Sequence, residues 1–412
     1  MRSPTALLTL TLFFAPSLAA QKVAPPPTRP RIQELADTND ARAYYRYGMA
    51  MLTDKPEESV RGFYWSLQID PSSAETMYAL RTSSLLAMSA GDLYDYFDWG
   101  RKKRKPEYLA IDSLLYRAYT VNPFVYRNMD VPLIRAIIEA DVIKYDPSVD
   151  RAELGHLVLE HLGTMRKEGW LSYAEGRLAD ALAGYSKQLH DRGRNKKDHE
   201  DNDGELHADR ARVFYQAGNM DSARAELTAA IAGFRERDKK DVVILYESKA
   251  MYEQALGMIN EKANKPDDAR EAYGQALTED LSYYAAHARL AQLQLLAGDT
   301  TAALSEMDLA LQLQPNDPVL HYASAIIYIK AKRDADAASQ LRKAAAAAPY
   351  YSAPHFLLAR IADVEDDTED AVTEYRKFIS LAASSDVNLP TARDRLAKLS
   401  ATVASTAAPA KP

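Results

Sequence analysis

The sequence contains no cysteine among its 412 residues. This absence excludes disulfide bonds, thiolate catalysis, zinc held by cysteine, and a lipid anchor attached to a cysteine. A chain of this length without disulfides depends on its packed core alone for stability. The length allows two or three ordinary domains or one elongated array.

Glycine is also scarce, and basic residues are not in excess. Only 16 residues are glycine, and alanine-rich segments run through the second half, which favours helices over sheets. The formal net charge of −7 shows no excess of basic residues, so we predict no nucleic-acid partner.

The sequence lacks a nucleophile elbow, a phosphate-binding loop, a dinucleotide fingerprint and a His-Glu-x-x-His motif. We therefore predict that the protein is not an enzyme and holds no cofactor.

Long hydrophobic runs are limited to one near the start of the chain. Arg2 precedes a mostly apolar run at 6–15, and the small residues that follow allow cleavage after Ala19 or Ala20. The run is shorter than the ~20 apolar residues that span a bilayer, so we predict no transmembrane segment. The pattern predicts a cleavable signal peptide and a periplasmic or secreted protein. The alternative is a buried first helix, which the two prolines that bracket the run disfavour.

Three histidines in the last third of the chain stand 34 residues apart, at His287, His321 and His355. Pro315 and Pro349 have the same separation. A fixed period of this size indicates stacked structural repeats. The residues upstream of each proline recur at matching offsets, and across four periods they are Ala269, Tyr273, Ala276, Ala303, Met307, Ala310, Ala337, Leu341, Ala344, Ala371 and Tyr375.

This pattern resembles the tetratricopeptide repeat (TPR) family, whose second helix carries alanine, an aromatic residue, alanine and proline at these offsets. The match is strongest over 250–385 and extends to 204–237, whereas 127–165 is helical but matches poorly. The resemblance implies an all-α fold, a right-handed α-solenoid of stacked helix-turn-helix repeats. In such a solenoid small residues let the two helices of a unit approach, and neighbouring units cover each other's apolar faces.

The repeat register divides the chain into parts. A proline-rich stretch follows the signal and is predicted to be an extended spacer. The predicted parts are the signal peptide (1–19), this linker (20–37), N-terminal TPR-like units with an insert at 91–109 (38–126), a helical TPR-like segment (127–190), a charged loop (191–205), the main TPR array (206–385), a capping helix (386–402) and a disordered tail (403–412).

The histidine row has two interpretations. Histidine is a common metal ligand and catalytic base, so the row would suit a metalloprotein or an enzyme. However, zinc ligands lie ~2 Å from the metal, whereas equivalent residues of stacked units lie ~10 Å apart. His321 also shares one helix face with Ala325 and Tyr328, so we predict that the histidines pack between the two helices of each unit. His207 occupies the same position in an earlier unit.

Two charged segments depart from the repeat. The stretch HEDNDGE at 199–205 resembles part of a calcium loop, but Arg210 stands where the closing glutamate belongs, so we predict a solvated loop and no metal. The insert at 91–109 joins aromatic residues to a basic run that would suit an anionic surface. The alternative is an exposed loop whose aromatic residues pack onto the helices below. The basic residues are Arg101, Lys102, Lys103, Arg104 and Lys105.

The resemblance to TPR proteins implies a concave groove, lined by the first helix of each unit, that binds an extended peptide or a partner's helix. The mixed apolar and aromatic character of this face favours a hydrophobic or helical segment. We predict an exported, non-enzymatic scaffold for protein partners in the bacterial periplasm or cell envelope, with attachment through the 91–109 insert as the alternative. Packing between neighbouring units is the other interpretation of the predicted groove residues, which are Arg212, Tyr215, Met258, Gln292, Leu295, Tyr322, Ile326, Phe356 and Arg360.

Overall fold

A computed structural model describes residues 26–32, 37–97, 105–194, 203–240 and 248–407. All regular secondary structure within these ranges is helical. No helix among the described residues combines the length and apolar character needed to cross a membrane. The helices are α1 (Ala41–Met51), α2 (Pro56–Ile69), α3 (Ala74–Leu86), α4 (Ala90–Phe97), α5 (Pro106–Val121), α6 (Asp130–Tyr145), α7 (Arg151–Lys167), α8 (Trp170–Ala174), α9 (Leu178–Arg194), α10 (Asp203–Gln216), α11 (Met220–Lys240), α12 (Ala250–Lys262), α13 (Pro266–Glu279), α14 (Tyr284–Leu296), α15 (Thr300–Leu313), α16 (Pro318–Lys330), α17 (Asp334–Ala347), α18 (Ala353–Val364), α19 (Thr368–Leu381) and α20 (Leu389–Ala407).

The 34-residue period is visible in the backbone of the turns that join the two helices of each unit. Asn264, Gly298, Lys332 and Asp366 all have positive φ, between 56° and 86°. A left-handed residue at this point ends the first helix and reverses the chain. Three of these four positions hold a side chain, so the turn geometry does not depend on glycine.

Successive helices from α10 to α19 form hairpins, α10 with α11 through to α18 with α19, and each hairpin packs on the next. Alanines with no exposed surface belong to the core between the helices, as Ala303 and Ala310 of α15 do. Helix α20 packs on α19 and ends the array. The predicted all-α repeat solenoid is confirmed.

The N-terminal half is less regular. Helices α1 and α2 form one hairpin and α3 and α5 form another, with α4 inserted between them and packed on α6. The short helix α8 pairs with α9. Helices α6 and α7 touch less extensively than any of these hairpins, in agreement with the poor match over 127–165.

Several predicted boundaries differ from those observed. The final helix α20 extends to Ala407, so it passes the predicted end at 402 and enters the predicted disordered tail. The predicted loop at 191–205 is shorter, because α9 continues to Arg194 and α10 begins at Asp203. The predicted signal peptide and the last five residues lie outside the described residues.

The N-terminal hairpins contact the C-terminal units. The indole ring of Trp65 in α2 lies 4.9 Å from the ring of Tyr350, which follows α17. Arg117 in α5 forms an ion pair of 3.6 Å with Asp317 at the start of α16. The N-terminal hairpins therefore face the C-terminal units on the side where the sequence predicted a concave groove.

Candidate functional site

The predicted groove residues follow one face of successive first helices. Met258, Gln292, Ile326 and Arg360 occupy the same position in α12, α14, α16 and α18, at intervals of 34 residues. Arg212 holds the corresponding place in α10. A common register therefore directs these side chains to the same side of the array.

A partly enclosed cavity of about 290 Å³ lies at the middle of this face. Its array wall includes the predicted residues Gln292, Leu295 and Ile326. The opposite wall belongs to the N-terminal hairpins and includes Met77 and Val121. The structure thus brings three predicted residues together, and the second wall is one that the sequence did not predict.

Charged groups stand at the rim of the cavity. Asp317 pairs with Arg117 and caps α16 by accepting hydrogen bonds from the amides of Val319 and Leu320. Burial of Tyr284, reinforced by the nearby Asp317 carboxylate, raises the pKa of its phenol to about 12. The rim thus places paired charges and a neutral tyrosine around an apolar floor.

The α10 end of the face is filled by the chain itself. The ring of Phe124, which follows α5, stacks on Tyr215 with centroids 3.8 Å apart and planes 5° from parallel. Gln216 Nε2 donates to the carbonyl of Phe124 over 3.0 Å. Lys262 lies 4.1 Å from the centroid of the Tyr215 ring, and Arg212 forms a 2.7 Å ion pair with Asp209. Both predicted residues at this end therefore already have partners within the chain.

At the α18 end of this face, the structure differs from the prediction that Phe356 lines the groove. Phe356 is only 8% exposed and its ring centroid lies 5.1 Å from that of Phe378 in α19, so it belongs to the core of its own unit. Tyr322 packs edge-on against Tyr351 at 5.5 Å. Burial, with a smaller effect from Asp386, raises the pKa of Tyr322.

The two remaining groove residues differ in environment. Met258 packs against the apolar cluster that joins α12 to the next unit, which agrees with the alternative of inter-unit packing. Arg360 is exposed on α18. Of the predicted set, Gln292, Leu295 and Ile326 are the ones that line the cavity.

The histidine row lies on the packing face that the repeat register predicts. His287, His321 and His355 are 6–8% exposed. In each unit Nδ1 lies 2.6–2.7 Å from a side-chain oxygen of the second helix, 19 residues further along. No group of three or more potential metal ligands occurs in the described part of the chain.

His321→Ala is expected to lower the free energy of unfolding by about 2 kcal/mol, since buried partners lose their hydrogen bonds and a cavity remains. His321 Nδ1 contacts Gln340 at 2.7 Å, and Nε2 lies 2.9 Å from the carbonyl of Pro315. A double-mutant cycle with Gln340→Ala, measured by urea unfolding, should give a coupling energy of about 1 kcal/mol. Additive losses would show that this contact contributes nothing.

The insert and the calcium-like segment offer little chemistry within the described residues. Arg101 to Arg104 lie outside them, and Lys105 Nζ lies 3.4 Å from Asp92 and 5.0 Å from the centroid of the Tyr108 ring. Tyr96 of the insert is 2% exposed and packs on Tyr108. Residues 199–202 also lie outside the description, and Asp203 begins α10.

Sequence reasoning missed a buried ion pair in the poorly matching region. Arg127 Nε donates to Asp130 Oδ2 over 2.6 Å, and the other carboxylate oxygen accepts a short hydrogen bond from the Tyr78 hydroxyl. The Arg127 guanidinium also lies 5.3 Å from the Trp170 ring centroid. These contacts join α3, α6 and α8, and the only signal in the sequence was an Arg-x-x-Asp spacing of a kind that is common on surfaces.

Three comparisons with known proteins were made. Residues 262–327 match the family model described as tetratricopeptide repeat. A comparison with curated proteins finds no match. Among solved structures, the chain is similar to MamA (17% identity, TM-score 0.36, covering 43% of this chain and 93% of MamA). It is also similar to PilF of Pseudomonas aeruginosa (16% identity, TM-score 0.43, covering 57% of this chain and 98% of PilF). A third similar structure is YrrB, described as a TPR protein with an unusual peptide-binding site (15% identity, TM-score 0.40, covering 52% of this chain and 100% of YrrB).

The family model covers α13 to α15 and most of α16, and the same hairpin register continues on both sides of the matched residues. Helices α12 to α19 repeat every 34 residues in their turns and their buried alanines, and the histidine contacts recur from α14 to α19. Residues 262–327 are therefore similar to tetratricopeptide repeats, and the described hairpins on both sides continue the same architecture.

Proposed function

We propose that this protein is a non-enzymatic scaffold that binds a protein partner on its concave face, at the cavity between the N-terminal hairpins and helices α14 and α16. The observation that carries the proposal is the apolar cavity itself, which contains Gln292, Leu295 and Ile326. Tetratricopeptide repeats in general act as scaffolds for protein interaction, and this cavity supplies a defined place for it.

The cavity suits an apolar side chain of a helix or an extended segment. Its volume of about 290 Å³ is at the lower limit of drug-sized ligand pockets. Gln292 is exposed at the edge, and Arg289 is held by an ion pair of 3.6 Å with Glu261. A partner would anchor one or two apolar residues inside and leave its backbone near these polar groups.

We also propose that the chain is exported to the bacterial periplasm or cell envelope. The support is the sequence pattern of a signal peptide at 1–19. Cell fractionation with the intact mass of the recovered protein tests this, and export predicts a mass that begins after Ala19 or Ala20. Full-length protein confined to the cytoplasm would contradict it.

Ile326→Glu is expected to weaken partner binding at least tenfold, because an apolar anchor would then bury an unpaired charge. A photo-crosslinking amino acid at Gln292 captures the partner in cells, and the yield is compared with and without the substitution. Arg342→Glu, at an exposed position of α17 away from the cavity, is the matched control. If the Ile326→Glu protein keeps its helical circular dichroism and the full crosslinking yield, the cavity is not the binding site.

A further inference from the structure

The proline-rich segment 26–32 lies against the folded protein, although its sequence predicted a spacer. Trp65 Nε1 donates a hydrogen bond of 2.9 Å to the carbonyl of Pro27. Arg29 Nε donates one of 2.9 Å to the hydroxyl of Tyr44. Two different side chains of the first hairpin therefore hold the segment.

Three aromatic rings surround the guanidinium of Arg29. Its central carbon lies 4.9 Å from the ring centroid of Trp65, 5.1 Å from that of Tyr44 and 6.0 Å from that of Tyr350. A planar guanidinium interacts favourably with aromatic faces through its charge and its shape. Two of these rings belong to the first hairpin and the third follows α17, so one arginine bridges the first hairpin and the C-terminal units.

This arrangement has the features of a peptide-binding site. An extended proline-rich chain docks on aromatic residues, and an indole N–H donates to a proline carbonyl. Proline keeps such a chain extended before it binds, which lowers the entropy lost on docking. Tyr44 and Trp65 are 1% and 7% exposed, so the core of the first hairpin fixes their positions.

A second contact between the N-terminal residues and the C-terminal units lies further along the same stretch of chain. Asn39 Nδ2 donates to the carbonyl of Ser380 over 2.9 Å. Asp37 Oδ2 accepts from the amide of Ser384 over 2.5 Å. Burial raises the pKa of Asp37, but the hydrogen bonds from Ser384 and Asn39 outweigh this and lower it overall. Residues on both sides of 33–36 thus contact the C-terminal units.

We propose that Tyr44, Trp65 and Tyr350 form a binding site for a proline-flanked arginine in an extended peptide, and that Arg29 fills this site in cis. The filled site fastens the first hairpin to the C-terminal units. A peptide in trans with the same proline and arginine chemistry competes for it. The site shares no residue with the cavity proposed above, so either proposal can fail without the other.

Distance measurements between α2 and α17 test whether Arg29 holds the first hairpin against the C-terminal units. The chain has no cysteine, so Glu57→Cys in α2 and Lys343→Cys in α17, both exposed positions, accept two spin labels and no others. The parent chain should give one narrow distance distribution. Arg29→Ala and Tyr350→Ala should each broaden it and add a longer component, whereas Tyr350→Phe, which keeps the ring, should preserve the narrow distribution. Unchanged distributions in both alanine variants would overturn the proposal.

Calorimetric titration of the Arg29→Ala chain with synthetic peptides tests the binding chemistry. The peptide PPPTRPR should bind at least tenfold more tightly than PPPTAPR and should restore the narrow distance distribution. Neither residue 29 nor Tyr350 lies in a helix, so helical circular dichroism should match the parent chain and exclude misfolding. Equal affinity for the two peptides, or no binding of either, would show that the rings are not an arginine site.

Discussion

Replacing Arg127 by alanine should lower the free energy of unfolding by about 3 kcal/mol, because a buried carboxylate then loses its cation. Asp130 is 4% exposed and would keep the hydrogen bond from the hydroxyl of Tyr78 and its place in the first turn of α6. The guanidinium also covers part of the Trp170 ring, and that contact would be lost with it. Urea unfolding followed by circular dichroism measures the change.

Two further variants distinguish the contribution of this ion pair to stability from the general effect of losing an arginine. Arg135→Ala removes an exposed pair with Glu139 on the same helix, and it should change stability by less than about 0.5 kcal/mol. Asp130→Asn combined with Arg127→Ala removes the buried charge and should recover part of the loss. Equal effects of Arg127→Ala and Arg135→Ala would show that burial of Asp130 has no energetic consequence.

Gly257→Ala is expected to cost about 2–3 kcal/mol, because a new methyl group would overlap the Tyr273 ring. A β-carbon at this position would lie 2.3 Å from the nearest ring atom. The ring has no exposed surface, and its hydroxyl donates to Glu261 over 2.5 Å, so it has little room to move. This glycine therefore sets how closely α12 and α13 approach.

Gly274→Ala, on the facing helix α13, is the matched control. No atom lies within 4 Å of a β-carbon built there. Replacing an unhindered helical glycine by alanine should stabilise the chain by about 0.5–1 kcal/mol. Because unfolding of repeat arrays is not always two-state, hydrogen exchange of the α12 and α13 amides should accompany the denaturant curves. Destabilisation of equal size at both glycines would contradict the steric argument.

The interior of each unit was predictable from the sequence. The 34-residue period placed His287, His321 and His355 on the face between paired helices, and His207 holds the same position in an earlier unit. His207, His287 and His355 each contact a glutamate 19 residues further on. Gln292, Leu295 and Ile326, which the sequence predicted to share one groove, line one cavity. These features depend on the register within a unit and between neighbours, and spacing along the sequence specifies that register directly.

The region 127–165, which matches the repeat pattern poorly, contains contacts that spacing in the sequence did not predict. The sequence identified 127–165 as helical but offered no sign that Arg127 and Asp130 would be joined to Tyr78 in a distant helix. It also placed Phe356 in the groove, whereas the ring of Phe378 draws it into the core. In both cases a contact between helices decided the environment of a residue whose own helix was correctly predicted.

By itself the sequence determined that this protein is a solenoid of paired helices, because the helical period of 3.6 residues and the unit period of 34 are properties of local sequence. Only the tertiary structure decided what faces the groove. There Phe124 covers Tyr215, and the hairpins of α1 to α5 form one wall of the cavity. Arg29 lies between rings of the first hairpin and the ring of Tyr350, which follows α17. The physical reason is that the curvature of a solenoid is the sum of small rotations between many units, so contacts between its ends do not follow from any single unit.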